Sequence, residues 1–210
     1  MTSRRSRKTS QEGGTRDGGK KPSIEQDFFR GKRVRLTLLR KDDAATVARW
    51  TEDGGYLRLQ DTGVARPESE ESIAADIERD NESPTTFAFA IRRIADDALL
   101  GTVGLFDVEW ANRTAWVGIG LGDRANWNQG YGSEAMELAA RYAFDELSLH
   151  RLQLTVIDYN PRAIAMYERL GFVREGNYRE FGERDGARYD LFLYGLLRPE
   201  WRERTRGASS

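Results

Sequence analysis

Residues 126–134, with the sequence Asn-Trp-Asn-Gln-Gly-Tyr-Gly-Ser-Glu, constrain the fold of this chain more than any other segment. They follow an alternating apolar run at 114–121 and overlap the start of a helical pattern at 132–147. Gly130 and Gly132 let the backbone curl without Cβ clashes, so that several N–H groups can point the same way. Such groups at the start of a helix are unpaired and favour an anion. The pattern predicts a strand-to-helix turn that binds phosphate, with an ordinary tight turn as the alternative.

The composition limits the chemistry that is available to the chain. It has 210 residues, no cysteine and one histidine, His150. The lack of cysteine excludes disulfides, thiolate catalysis and Cys-ligated metals, and one histidine disfavours a Ser-His-Asp triad or a multi-His site. We therefore predict no metal, and we expect catalysis to use carboxylates, tyrosine, backbone dipoles or a bound cosubstrate.

The N-terminal segment differs in charge from the rest of the chain. Residues 1–21 hold seven Lys/Arg and two acids, a net charge of +5, whereas the remaining residues hold 26 and 32, a net charge of −6. We expect residues 1–23 to form a disordered basic tail, because they offer little apolar surface to offset the entropy of ordering. A weak contact with RNA or the ribosome is the alternative to a simply solvated tail. Without a membrane-spanning apolar run or a secretory signal, we expect a cytoplasmic protein with no membrane contact.

Hydrophobic periodicity predicts one mixed α/β domain at 24–201, followed by a C-terminal tail at 202–210. The segment 56–66 is expected to be a polar loop. Strands are predicted at 33–38, 86–93, 99–110, 114–121, 151–157, from Phe172 and at 189–197, and helices at 44–50, 67–81, 132–147 and 161–170.

Three sequence segments carry a family likeness. They are Gln-Gly-Tyr-Gly-Ser-Glu-Ala at 129–135, Asn-Pro-Arg-Ala-Ile at 160–164 and Tyr-Glu-Arg-Leu-Gly-Phe at 167–172. Together with the segment 190–201, they resemble the GNAT N-acetyltransferases, in particular the branch that acetylates ribosomal-protein N-termini and polyamines. Each segment is weak evidence alone, but three in order on the expected elements are strong. The resemblance covers about residues 32–201.

The resemblance implies an α+β fold with a central mixed, mostly antiparallel sheet that is flanked by helices and splays between its fourth and fifth strands. It also implies acetyl-CoA as the cosubstrate, with the pantetheine arm filling the splay like an added strand. Trp127 stands where the family usually has Arg or Gln, which alters the side-chain contact there but not the backbone turn. The residues expected to bind the cosubstrate are Ile119, Gly120, Leu121, Trp127, Gln129, Gly130, Tyr131, Gly132, Ser133, Asn160 and Tyr167.

Two of these residues have structural explanations as well as functional ones. Asn160 is placed to hydrogen-bond the pantetheine, but Asn-Pro at a helix start is also a good cap. Tyr167 lies on the apolar stripe of its helix and would serve as a core aromatic. The resemblance makes its hydroxyl the acid that protonates the departing CoA thiolate, since a phenol stays protonated at neutral pH.

The resemblance implies direct attack of a primary amine on the thioester in a ternary complex, the amine belonging to a protein N-terminus, a polyamine or a small molecule. The ammonium must first lose a proton, and Glu109 is our choice of base over Asp107 and Asp158. The alternatives are a non-catalytic CoA-binding module and a ribosome-associated acetylase recruited by the basic tail. The resemblance also suggests a homodimer.

Overall fold

The structure, a computed structural model, describes residues 27–207, so the tail predicted at 1–23 lies outside the described residues. Within this range no helix combines the length and the apolar character that crossing a membrane requires. The strands are β1 Val34–Leu38, β2 Phe87–Arg93, β3 Leu99–Glu109, β4 Thr114–Leu121, β5 Arg151–Ile157, β6 Val173–Arg184 and β7 Ala187–Leu197. The α-helices are α1 Ala44–Thr51, α2 Gly54–Gln60, α3 Glu70–Glu82, α4 Tyr131–Arg141, α5 Pro161–Arg169 and α6 Arg198–Gly207.

The strands form one sheet in the order β1-β2-β3-β4-β5-β7-β6, and only the β4–β5 pair is parallel. That parallel pairing is short, because it joins only residues 114–116 to residues 151–153. Residues 117–121 of β4 keep their partners in β3 but have none in β5 within the described sheet. The mixed α/β fold and the splay between the fourth and fifth strands are therefore confirmed.

Helix α4 packs its apolar stripe onto the sheet and supports β4 from one side. Ala135 and Ala139 are fully buried, and their small side chains let the helix approach the strands closely. The helix was predicted to continue to Leu147, but after Arg141 the chain changes to a π-type turn at Tyr142–Glu146.

Two further predictions about local structure are wrong. The segment predicted as a polar loop from Tyr56 begins inside helix α2, because the side chain of Asp53 caps that helix by accepting the N–H groups of Gly55 at 2.9 Å and Tyr56 at 3.1 Å. The C-terminal tail predicted from residue 202 begins inside helix α6, which Trp201 anchors with only 5% of its surface exposed.

Candidate active site

A cavity of about 830 Å³ occupies the gap where β4 and β5 diverge. Alternate residues of β4 face opposite sides of the sheet. A Cβ atom on Gly132 of α4 would lie 3.5 Å from Leu121 Cδ1, whereas a Cβ atom on Gly120 would lie 2.7 Å from both Tyr56 Oη and Gln60 Oε1. The cavity therefore has two halves, an α5 half bounded by α4 and α5 and an α2 half on the other face of the sheet.

The glycine turn lies at the wall of the α5 half. Asn128 and Gly130 both have positive φ angles, 59° and 79°, and Gly130 accepts the first helical hydrogen bond of α4 from the N–H of Glu134 at 3.1 Å. Within residues 27–207 the N–H groups of Gly132 and Ser133 have no acceptor, and both residues line the cavity. Unpaired N–H groups at a helix start favour an anion, so this geometry is compatible with phosphate, and phosphate binding at the turn stays a prediction.

Glu134 fixes this turn to the start of β1. Its carboxylate accepts the backbone N–H groups of Lys32 and Arg33, the latter at 2.8 Å, and Arg33 Nη1 donates to the carbonyl oxygen of Gln129 at 2.6 Å. Burial alone would raise the pKa of Glu134, but the hydrogen bonds from Arg33, Val34 and Lys32 outweigh it and hold that pKa below its ordinary value. The turn is thus held in place by contacts from a distant strand.

Asn160 serves as the predicted helix cap. Its Oδ1 accepts the N–H of Ala163 at 3.2 Å, and its Nδ2 donates to the carbonyl oxygen of Leu59 in α2 at 3.4 Å. The side chain is buried, with 7% of the residue exposed, and it also lines the cavity. One residue therefore starts α5, ties that helix to α2 and faces the expected path of the pantetheine arm.

Tyr167 lines the same cavity from the second turn of α5. It is 7% exposed, and its ring meets that of Phe172 edge-on at 5.9 Å. No side chain or backbone group of residues 27–207 forms a hydrogen bond with its hydroxyl, whereas the hydroxyl of the fully buried Tyr194 donates to Glu168 Oε1 at 2.9 Å. Burial raises the pKa of Tyr167 to about 12, so that its hydroxyl stays protonated at neutral pH and is free to donate.

Most of the other residues predicted to bind the cosubstrate line the cavity, and two do not. Ile119, Gly120, Leu121, Trp127, Gly130, Gly132 and Ser133 line the cavity. Gln129 and Tyr131 belong to the turn but are not in its lining, and the side-chain amide of Gln129 donates to the carbonyl oxygen of Ala125 at 2.6 Å.

The choice of Glu109 as base needs correction, because the structure does not bring this residue to the cavity. Glu109 pairs with Thr114, where β4 and β5 are still joined, and its carboxylate accepts a hydrogen bond from Asn112 Nδ2 at 2.8 Å. Gly120 lies six residues farther along β4, which is about 20 Å in an extended strand. Asp107 and Asp158 also lie outside the lining of the cavity.

The sequence analysis missed the residues that line the α2 half, and it also missed the buried Tyr56, whose hydroxyl lies beside Gly120 although Tyr56 itself is not in the lining. Tyr56 is 8% exposed, and burial raises its pKa to about 12. Asp61 and Asp80 are the carboxylates that line the cavity, and Gln60 lies beside them in its wall. The i, i+4 spacing of Tyr56 and Gln60 after an Asp cap was the available signal, but the two glycines behind that cap favoured a loop.

Helix α2 is held against the cavity from two directions. Tyr159, beyond the end of β5, donates its hydroxyl to the carbonyl oxygen of Arg58 at 2.7 Å. At the tip of the β6–β7 hairpin, Asp185 pairs with Arg58 at 2.8 Å, and Arg184 Nη2 donates to the carbonyl oxygen of Thr62 at 2.9 Å. These contacts make α2 a fixed wall of the cavity.

The fold and the cavity together define a class of protein. A sheet that splays at its β4–β5 parallel pair, with an anion-type turn on one face and the α2 half of the same cavity on the other, can hold two ligands that meet at the gap. The comparisons then give the family, since the family model for the acetyltransferase (GNAT) domain matches residues 33–173. The chain therefore belongs to the GNAT acetyltransferase family.

Relatives and solved structures agree with this assignment. The chain is 32% identical over 179 residues to a Bacillus subtilis protein named probable N-acetyltransferase YjcK, with 85% of each chain covered. It is 29% identical over 117 residues to the spermidine N(1)-acetyltransferase of Vibrio cholerae, covering 54% of this chain and 67% of that one. The crystal structure of spermidine N-acetyltransferase from Vibrio cholerae with CoA and spermine superposes with a TM-score of 0.74 at 21% identity, covering 81% of this chain and 98% of that one, and shows the shared fold.

Proposed function

We propose that this protein transfers an acetyl group from acetyl-CoA to a primary amine by direct attack within a ternary complex. The observation that carries the proposal is the cavity at the β4–β5 gap, whose lining includes residues from elements on both faces of the sheet. One face offers an anion turn and a buried tyrosine, and the other offers carboxylates and a helix wall. Two substrates can therefore enter from opposite sides and meet at the gap.

The residues present fit a CoA thioester. Residues 117–121 leave one edge of β4 without a strand partner, and an amide chain can pair with such an edge. The unpaired N–H groups of Gly132 and Ser133 are suited to phosphate oxygens. A backbone N–H near Gly120 or Leu121 would stabilise the oxyanion that forms at the thioester carbonyl, and a donor in this role contributes about 10²–10³ in rate.

Tyr167 is assigned as the general acid. The amine nitrogen forms the new bond to the carbonyl carbon, the carbon–sulfur bond breaks, and the sulfur takes the hydroxyl proton of Tyr167. The nitrogen, which still carries one proton too many after the attack, releases that proton to the Tyr167 oxygen, directly or through water, and so restores the acid. Burial raises the pKa of Tyr167 to about 12, so the hydroxyl is protonated at neutral pH and can donate to the sulfur when charge develops there. The proton that the ammonium must lose leaves on the other side of the sheet.

Asp80 and Asp61 are assigned to the acceptor, in place of Glu109. Both line the α2 half. Within residues 27–207, Asp80 has one long ion pair, with Arg79 at 3.9 Å, and Asp61 has none. Partial burial raises the pKa of Asp80, against the lowering effect of Arg79. A carboxylate whose pKa is raised is a better proton acceptor than an ordinary one, and the exposed Asp61 adds negative charge that attracts an ammonium. We propose that these groups hold the acceptor amine and receive its proton, directly or through water.

The assay for this function is the release of free thiol from acetyl-CoA with a panel of peptides, polyamines and aminoglycosides. We expect thiol release with at least one amine and an acetylated product in its mass spectrum. Binding of CoA without thiol release across the panel would instead establish the non-catalytic module. Absence of CoA binding would refute both readings of the cavity.

The cellular setting is a further part of the proposal. We propose a cytoplasmic protein with a single acetyltransferase domain that includes the whole of helix α6, and we propose that it assembles as a homodimer; sedimentation should then give twice the chain mass. The basic tail at 1–23 is proposed to add a weak contact with ribosomes or RNA. Its deletion should reduce salt-sensitive co-sedimentation, and equal co-sedimentation of the two forms would refute that contact.

A further inference from the structure

Trp127 is fixed in one orientation beside the glycine turn. Its indole Nε1–H donates to the carbonyl oxygen of Leu121 at 2.8 Å, which ties the ring to the last residue of β4. The ring is only partly buried, and the residue lines the cavity. A flat aromatic surface is thus held at the wall of the α5 half.

Two arginines lie over this ring. The guanidinium carbon of Arg162, in the first turn of α5, is 3.7 Å from the ring centroid, and that of Arg124 is 5.2 Å away. Stacking on tryptophan is attractive for a guanidinium and restricts its motion. The contact joins Arg162 to a turn that lies 35 positions earlier in the sequence, and it places the Arg162 side chain at the cavity wall.

The two arginines differ in whether their charge is balanced. Asp53 accepts hydrogen bonds from Arg124 Nε at 2.6 Å and Arg124 Nη2 at 2.8 Å. Arg162 has no carboxylate and no hydrogen-bond acceptor within residues 27–207, although its side chain lines the same cavity as Gly130 and Ser133. Arg162 is exposed to solvent, and its partial desolvation and the nearby charge of Arg124 lower its pKa. An anion beside Arg162 would offset the repulsion between the two arginines.

We propose that Arg162, held by Trp127, binds a phosphate group of CoA, and that Trp127 is the positioning residue for this contact. This inference rests on the proposed function. The turn presents the aromatic ring of Trp127, and the ring holds a cation from α5. The planar guanidinium can bind two phosphate oxygens together, which a lysine in its place could not do.

The test measures binding, by calorimetric titration of the full chain with CoA and with dephospho-CoA, which lacks the 3′-phosphate. Arg162→Ala should weaken CoA binding about ten-fold, or about 1.4 kcal/mol. Equal weakening for both ligands assigns the contact to the diphosphate, and weakening for CoA alone assigns it to the 3′-phosphate. Trp127→Leu should show the same ligand pattern, with thermal unfolding confirming that it folds.

Arg179→Ala, in an exposed stretch of β6, is the matched control for loss of one positive charge and should bind both ligands as the wild type does. Arg162→Lys keeps the charge without the planar stack, and we expect it to recover only part of the affinity. If the wild type binds CoA and Arg162→Ala binds it equally well, the inference is wrong while the proposed function stands. If the wild type gives no binding heat with either ligand, the proposed function itself fails.

Discussion

Replacing Tyr167 by phenylalanine removes one oxygen atom and leaves the buried ring in contact with Phe172. Within the described structure that oxygen has no hydrogen-bond partner, so its removal breaks none and should leave the free energy of unfolding essentially unchanged. If the hydroxyl protonates the leaving thiolate, its loss should lower kcat by about 10²-fold or more, which corresponds to about 2.7 kcal/mol in the barrier. The affinity for CoA should stay the same.

Tyr194→Phe is the matched control, because it removes a chemically identical hydroxyl that lies outside the cavity lining. That hydroxyl donates to Glu168 at 2.9 Å. Because Glu168 is exposed, the loss should cost about 1 kcal/mol in stability, at the low end for hydrogen bonds. For a chain of this size the melting temperature should fall by about 2–4 °C.

Tyr167→Phe should therefore lose turnover and keep its stability, whereas Tyr194→Phe should lose stability and keep its turnover. Thiol release under saturating acetyl-CoA gives kcat, calorimetry gives the Kd for CoA, and thermal unfolding gives the stability. Wild-type turnover in Tyr167→Phe would refute the role of this residue as the acid. Equal losses of turnover in both variants would show that the hydroxyl effects are structural.

Three other outcomes follow from the same structure. Since burial raises the pKa of Tyr167 to about 12, kcat/KM should rise as the acceptor amine deprotonates and show no descending limb up to about pH 10; a fall with a midpoint near pH 9 would contradict this. Asp80→Asn should raise the KM for the acceptor about ten-fold without changing the Kd for CoA, since hydrogen bonds to charged groups contribute about 1.5–3 kcal/mol, whereas the exposed Glu78→Gln on the same helix should leave both unchanged. Glu134→Gln should lower the free energy of unfolding by about 1–3 kcal/mol in denaturant titrations. Because the folded-state pKa of Glu134 is lowered, this loss of stability relative to the wild type should be full at neutral pH and should vanish as the pH falls through that pKa. A loss of stability that does not change with pH would refute the role given to the Glu134 carboxylate.

The sheet and its splay could be predicted because their signals are local. Alternating apolar residues mark each strand, and the short segments at 129–135 and 160–164 carry the family likeness. The start of α5 was predictable for the same reason, since Asn160 and Pro161 are cap and first-turn residues whatever the rest of the fold does. Such elements need no knowledge of distant contacts.

Other parts of the site depend on contacts that no local pattern records. Glu109 and Gly120 lie on neighbouring strands, but the antiparallel register places them at opposite ends of β4. The stack of Arg162 on Trp127 joins a turn and a helix with a strand between them. Spacing along the chain alone gives neither the separation of Glu109 from Gly120 nor the contact of Arg162 with Trp127.

The two halves of the cavity therefore differ in how far sequence can specify their ligands. The α5 half, proposed for the donor, consists of a turn, a strand edge and a helix start, whose chemistry is mostly backbone chemistry and depends on glycine, asparagine and proline at fixed positions. The α2 half, proposed for the acceptor, consists of side chains on and after α2 and on α3, and α2 owes its position to Tyr159 and to the hairpin tip at Asp185. A change at that distant tip can move α2 and alter which amine fits, while the donor turn is unaffected. The sequence therefore indicates the donor but not the acceptor amine. Variants of α2, of Tyr159 and of Asp185 are the way to learn which amine is accepted.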